Sequence, residues 1–291
     1  MYLINTTKMN SFCMKRIICF RGWLFFLFLF QFYACAMGSK EPGEEKAERE
    51  LISRNKIEKA TEYSASIFGG IKQKEMLVHE RTFDTDGKLM TELKFIPDSI
   101  LDCSIVHAYT NTGNLDSTIA RNADGSLLYR VKITYDDTDR RKEFFFYLPD
   151  GTYKYRNVSV YASSGQLAER SWYWPDGFKA KNVFVYENKR KISDTEIGPK
   201  GEFRYTWNYS YNKAGLLVEA IQLYPDSLVN AKVIYKYDSA GQMTEEQHEN
   251  RSEFQSRSVY SYNSNGLLVL RVDFSASGRP IAEHRFAYEF R

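Results

Sequence analysis

From Phe83 onward the chain alternates apolar or aromatic positions with polar ones, in short runs broken by turn residues about every 13 positions. Alternation at period two, as in Tyr209-Ser210-Tyr211, Tyr235-Lys236-Tyr237 and Tyr260-Ser261-Tyr262, puts both rings of each pair on one face of a strand. The pattern predicts an all-β protein, a meander of about 16 antiparallel strands of eight to ten residues joined by short loops.

The breaks form two series. One reads FDTDGKL at 83, YTNTGNL at 109, YDDTDRR at 135, YASSGQL at 161, YENKRKI at 186, YNKAGLL at 211, YDSAGQM at 237 and YNSNGLL at 262, with spacings of 26, 26, 26, 25, 25, 26 and 25. Tyr288 falls another 26 on. Such regularity marks tandem hairpin repeats of about 26 residues. The second series lies halfway between and carries proline, as in Leu148-Pro149-Asp150-Gly151, Trp174-Pro175-Asp176-Gly177 and Tyr224-Pro225-Asp226-Ser227. Both suit type I turns, with Asp or Asn first, Pro second and Gly fourth. The glycine supplies the left-handed residue of a three-residue loop with a bulge. It makes Tyr237 and Met243 cross-strand neighbours on one face. A single unit buries too little to stand alone, so only the array folds.

The Tyr-Asp-x-x-Gly-x-Leu pattern, clearest at 237, resembles the YD repeat of bacterial RHS and teneurin-type proteins over about residues 71–291. That resemblance implies hairpins coiling into a spiral or elongated twisted sheet that encloses a toxin or displays a surface, with carbohydrate binding often suggested. The period exceeds that family's usual one of about 21. Asp139 and Arg190 stand where the turn glycine is expected, and no autoproteolytic Asp-Pro motif or polymorphic C-terminal domain is seen, so a toxin cocoon is not expected. The repeat is also similar to bacterial MORN-like proteins, which implies an antitoxin or immunity protein as an alternative.

The N-terminal part departs from this pattern. Lys15 and Arg16 precede an apolar stretch from Trp23 to Ala34, then Cys35, the layout of a bacterial secretory signal over residues 1–34 with a probable start at Met14. The stretch is short of the roughly 20 residues that span a bilayer. Ala34-Cys35 resembles a lipoprotein lipobox, which implies a diacylglycerol on Cys35 and a membrane partner. Export follows, to the outer membrane or cell surface rather than the inner membrane. Residues 35–46 are small, polar and charged and read as a lipidated tether, and residues 47–70 as a short helix and linker, leaving 71–291 as the repeat domain.

Composition changes the picture in two places. Four of the 40 basic residues (Lys8, Lys15, Arg16 and Arg21) lie in the signal, leaving 36 against 37 acids, so nucleic acid is not an expected partner. Cysteines at 13, 19, 35 and 103 give no disulfide or metal spacing, and Cys103 reads as a buried strand residue.

Enzyme signatures such as G-x-S-x-G, the P-loop and H-E-x-x-H are missing from the sequence, and the histidines at 79, 107, 248 and 284 keep no ligand spacing. No cofactor is expected. Asp84, Asp86, Asp136, Asp137 and Asp139 read as turn formers rather than calcium ligands. Tyr205, Trp207, Tyr209 and Tyr211 share one face, as do Trp172 and Trp174. Rings in line can stack on a sugar, and they can equally be the packed face of a sheet. Glu169 beside Arg170 puts charge on both faces of one strand, which argues against a transmembrane barrel. The expected protein is a non-enzymatic envelope lipoprotein with a binding or structural surface for a glycan or an envelope protein. An enzyme with its site on the repeat loops is the remaining alternative.

Overall fold

The computed structural model describes residues 42–291 except residue 252. The expected signal peptide, Cys35 and the first part of the expected tether lie outside the described residues. Glu48–Arg291 is the unit that holds the sheet.

A helix, α1 (Pro42–Arg54), opens the described chain, with proline in its first turn where the missing N–H costs nothing. It ends where Lys56 turns left-handed at φ +55°. Then come β1 (Ile57–Phe68), the two-residue β2 (Ile71–Lys72), β3 (Met76–Phe83), β4 (Leu89–Ile96), β5 (Ile100–Tyr109), β6 (Leu115–Asn122), β7 (Leu127–Tyr135), β8 (Arg141–Tyr147), β9 (Tyr153–Tyr161) and β10 (Leu167–Trp174). The second half runs β11 (Gly177–Glu187), β12 (Arg190–Ile197), β13 (Phe203–Tyr211), β14 (Leu217–Leu223), β15 (Val229–Tyr237), β16 (Met243–Asn250), β17 (Glu253–Tyr262), β18 (Leu268–Phe274) and β19 (Pro280–Phe290).

Each strand from β3 to β19 pairs antiparallel with the next, and β1 pairs with both β19 and β3. With β2 a short extension of β1, 18 strands close into a barrel. This corrects the expected open spiral of about 16 strands. The reason is β1: Ile57–Phe68, expected to be helix and linker, lacks the Tyr-Gly-Leu mark yet is a strand, and it supplies the partner that both free edges need.

The hairpins follow the sequence closely. Tyr237 pairs with Met243 and Tyr211 with Leu217, each beside a bulge. Asp238 Oδ1 accepts from the N–H groups of Ala240 and Gln242, and Gly241 sits at φ +81°. Asp84 and Asp136 serve their turns in the same way. Asp139 takes the glycine's left-handed place at φ +58°. Arg190 does not: Asn188 and Lys189, both at positive φ, make a two-residue turn, and Arg190 begins β12.

Eight hairpins, from Phe83 to Tyr262, and the end of β19 at Tyr288 put an aromatic residue on the inner face near one end of the wall, here called the tyrosine end. In seven repeats its hydroxyl donates to a carbonyl about 20 residues earlier, on the first residue of the preceding even-numbered strand (the second in β12): Tyr109 to Leu89, Tyr135 to Leu115, Tyr161 to Arg141, Tyr211 to Lys191, Tyr237 to Leu217, Tyr262 to Met243 and Tyr288 to Leu268, at 2.6–2.9 Å. The bulge disturbs the ladder at that residue, and the tyrosine satisfies its carbonyl while locking one repeat to the next. Helix α1 reaches the same end: Arg49 Nη1 donates to the Gly113 carbonyl at 3.0 Å and Ser53 Oγ to that of Thr85 at 2.9 Å. Ile52 packs with Ile57 and Leu267. The backbone of Gly87 approaches so closely that a Cβ there would lie 2.2 Å from the Arg49 carbonyl oxygen.

Alternation separates the two faces of the wall. Along β7, Tyr129, Val131 and Ile133 are buried, whereas Leu128, Arg130 and Lys132 are exposed. The outer face carries ion pairs between neighbouring strands, Lys132–Asp116, Arg156–Glu143, Lys181–Glu169, Lys232–Glu219 and Lys236–Glu245, at 2.5–3.1 Å. The register puts Glu169 on this face and Arg170 inside. A bilayer-facing wall needs a continuous apolar band, and charges distributed around the barrel interrupt one. The outer surface is adapted to water.

The seam between β1 and β19 is tied by charge as well as by its ladder. His284 Nδ1 lies 2.9 Å from Glu62 and its Nε2 lies 3.2 Å from Asp273. Lys59 meets Glu289, Arg285 meets Glu75, and Lys72 pairs with Glu283. Burial opposes the charged ring of His284, but its hydrogen bonds to Asp273 and Glu62 outweigh it and raise its pKa above the ordinary 6.5. The stabilisation it supplies is complete below that value and is lost as pH rises through the folded value. Glu62 and Asp273 are opposed by burial too, yet His284 and Arg271 hold them below the ordinary carboxylate range. Their contribution is lost in acid.

These ties can be tested one at a time. Tyr237→Phe removes one inter-repeat hydrogen bond and should destabilise the barrel by about 1 kcal/mol, read from denaturant unfolding, with the strand content unchanged by circular dichroism. The thermal midpoint should be highest between about pH 5 and 6.5 and fall on both sides. The alkaline fall should shrink in His284→Gln, and a native profile flat from neutral to alkaline pH would contradict the seam assignment.

Candidate functional site: the inner wall

With 18 strands the barrel falls in the size class in which the interior can hold water as well as side chains. Three arcs of the inner wall differ in chemistry. The arc from β5 to β9 is apolar and aromatic: Ile105, Ala120, Val131, Ile133 and Phe144 are buried together. Across it Tyr129, Phe146 and Tyr155 stack in sequence, with centroids 5.0 and 5.2 Å apart. Cys103, expected as a buried strand residue, is buried on this side of the wall.

The arc from β10 to β14 contains most of the aromatic residues singled out from the sequence. Trp172, Tyr205, Trp207, Tyr209 and Tyr211 fall on the inner face by register, with Trp207 opposite Asp194 on β12 and Gln222 on β14. Trp174 is set apart from them, at the turn into β11 and half exposed. The rings are joined by polar groups that the sequence pattern does not single out. Trp172 Nε1 donates to Asn182 Oδ1 at 3.2 Å, and Asn182 Nδ2 to Asp194 at 3.5 Å. The Tyr209 hydroxyl donates to Asp194 at 2.8 Å and that of Tyr205 to Glu196 at 2.6 Å. Burial first, then the adjoining Asp194 carboxylate, push the Tyr209 phenol far above its ordinary range, so it remains a hydrogen-bond donor at any physiological pH. Lys191 lies over the Tyr209 ring at 4.7 Å. Indole and phenol rings beside carboxylates and amides suit a ligand with both flat apolar faces and hydroxyl groups.

The third arc, β16 to β19 with β1, β3 and β5, carries all four histidines, each beside a carboxylate. Glu92 accepts from His79 and His107 at 2.8 and 3.0 Å, and His107 Nδ1 lies 3.0 Å from Thr118 Oγ1. Burial raises the Glu92 pKa, but the two imidazole hydrogen bonds more than reverse that, so it stays ionised. Glu246 lies 3.0 Å from both His248 and the Tyr260 hydroxyl. Among the described residues no three His, Cys, Asp or Glu side chains are arranged to hold a metal ion. His79 and His107 are thus joined through Glu92 in a hydrogen-bonded network on the inner face.

These carboxylates left a trace in the sequence. Glu92 and Glu246 each stand three residues after the Leu-type position of the repeat, as do Thr118, Arg170 and Arg271, and Asp194 stands three after Lys191, the cross-strand partner of Tyr186. The bulge consumes one residue, so the third position, not the second, turns inward.

No protein-family model and no curated protein matches the chain. Among solved structures, a porin-like protein from Bacteroides uniformis aligns with a TM-score of 0.44 at 11% identity, covering 80% of this chain and 98% of its own. A porin-like protein from Bacteroides vulgatus aligns with a TM-score of 0.30 at 11% identity over the same shares. The TcdB2-TccC3-TEV structure gives a TM-score of 0.34 at 13% identity, covering 76% of this chain, which spans 14% of it. Similarities of this size say nothing about function.

Proposed function

We propose that this protein is a non-enzymatic lipoprotein of the cell envelope, held by a diacylglycerol on Cys35, whose barrel presents its inner wall to a glycan. The observation that carries the reading is the contrast between the two faces: an outer wall of ion pairs suited to water, and an inner arc where Trp172, Trp207 and Tyr209 flank Asn182 and Asp194. A soluble barrel needs separate means to stay at a membrane, and the Ala34-Cys35 pattern provides it. The YD-like repeat fits the same reading as a scaffold.

A second reading, as an enzyme, is favoured by the chain from Glu92 through His107 to Thr118, which has the connectivity of carboxylate, base and hydroxyl. Thr118 is buried and Glu92 is shared with His79, so the chain ties β3 to β6 together rather than presenting a nucleophile.

Palmitate labelling of cells should mark the native protein and not Cys35→Ala, with surface proteolysis reporting exposure. An unlabelled, cytoplasmic protein would sink the lipoprotein reading and favour the antitoxin alternative. For the inner wall, quenching of tryptophan emission by oligosaccharides cut from envelope polysaccharide should saturate. Trp207→Ala should weaken that binding by about 1–2 kcal/mol, on the order of tenfold. Equal affinity in Trp207→Ala would place any glycan elsewhere.

A further inference from the structure

The two ends of the barrel differ in a way that neither the lipid anchor nor the inner wall uses. Of the fifteen large apolar side chains that remain exposed among the described residues, ten lie at the end opposite the tyrosines, on or beside the proline-type turns. Phe68 and Ile71 are 82% and 69% exposed and flank Gly69-Gly70, the tip of the β1–β2 hairpin. Ile100 precedes the body of β5, Trp174 closes β10, Leu228 enters β15 and Ile281 opens β19, so the apolar groups are distributed around the rim. Near the tyrosine end only Phe290, Val160 and Val185 are of this kind, the two valines on the outer wall one residue before Tyr161 and Tyr186. Scattered exposed apolar residues are ordinary; ten gathered on one rim are an unpartnered surface.

We propose that this rim is the interface of a dimer, with a second copy of the chain docked end to end so that two lumens face each other. Area supports that occupant. The ten rim side chains, four of them aromatic, are 37–82% exposed, and at roughly 200 Å² for a large side chain covering them on two copies removes on the order of 2,000 Å², the size of a stable specific interface. Charge supports it too. Asp98, Asp124, Asp176 and Asp226 stand on the same turns as the apolar groups and Lys200 and Arg279 lie beside others, while Lys179 and Arg204 pair within the chain, with Asp176 and with Glu196 and Glu202. A two-fold contact sets a patch against its own copy, and a rim holding both signs can pair with itself. The same aspartates argue against a lipid surface, because docking there would carry carboxylates toward the acyl boundary. The docked end is also the one α1 leaves open, since Arg49 and Ser53 bind turns at the other end.

Sedimentation velocity on the processed chain carrying Cys35→Ala, so that no acyl group contributes, tests this. The expected result is twice the monomer mass at micromolar concentration. The double variant Ile100→Asp, Leu228→Asp should sediment as a monomer with unchanged circular dichroism and thermal midpoint. Val160→Asp, on the outer wall, should remain a dimer. The proposal is overturned by a native chain that is monomeric at tens of micromolar. It is equally overturned if Val160→Asp dissociates the dimer and the rim variant does not, or if a monomer binds phosphatidylcholine vesicles through the rim. Should the double variant fail to fold, Phe68→Ser with Ile71→Ser, at a hairpin tip outside the barrel ladder, replaces it with the same expected loss of dimer.

Discussion

Closure of the sheet at β1 is the constraint on which everything else depends. Every other ladder joins strands that are neighbours in sequence, so each could form as a hairpin on its own. The ladder between Ile57–Ser66 and Ala282–Phe290 instead joins the two ends of the described chain. Without it β3 and β19 would be bare edges, open to other chains. The price of that long-range contact is loop-closure entropy, and the seam offsets it with a concentration of ties found on few other ladders: His284 between Glu62 and Asp273, Lys59 with Glu289, Arg285 with Glu75. Arg291 adds two more, its N–H to the Lys56 carbonyl and its guanidinium to that of Phe83.

Closure also decides what the two faces can be. An open sheet of this alternation would show its rings to solvent or need a second layer to cover them. Curved into a barrel, the same alternation turns Tyr129, Phe146, Tyr155 and Trp172 toward one another on consecutive strands and leaves Lys132, Glu143, Arg156 and Glu169 of those strands outside. The charged outer wall and the aromatic inner wall therefore have one cause, period-two patterning on a sheet that has no edge.

The repeat was legible because its turns use residues with narrow conformational meaning. Gly241 at φ +81° and Asp238 bonding two backbone N–H groups leave almost no other reading of Tyr-Asp-Ser-Ala-Gly-Gln-Met. What was not legible lay where the signal is global or where a bulge alters parity. The strand character of Ile57–Phe68 depends on partners more than 200 residues away at one edge, and its composition, with Ala60, Ser64 and Ala65, carries no strong β preference. The inner carboxylates were missed because simple alternation from Leu89 or Met243 assigns Glu92 and Glu246 to the outside, and only the bulge reverses them. Trp174 failed in the opposite sense: its spacing from Trp172 suggests a shared face, but the strand ends there in a turn.

The same distinction between local and global cause explains the unequal ends. At the tyrosine end, each hydroxyl satisfies a bulge carbonyl of the repeat before it, and α1 fills the space left over, so little apolar surface remains. The proline-type turns have no such regular lock, only single ties such as the Ala123 N–H to the Asp102 carbonyl and the Arg251 N–H to that of Asn230. They differ in length and chemistry, from the two-residue Pro175-Asp176 turn to the short helical turn at Pro97–Ser99, and each satisfies its own backbone, as Asp150 does for Thr152. A rim that closes turn by turn has no need to bury its neighbours' side chains. Its apolar residues are therefore unexplained by the fold, and that is why they are informative about what lies beyond it.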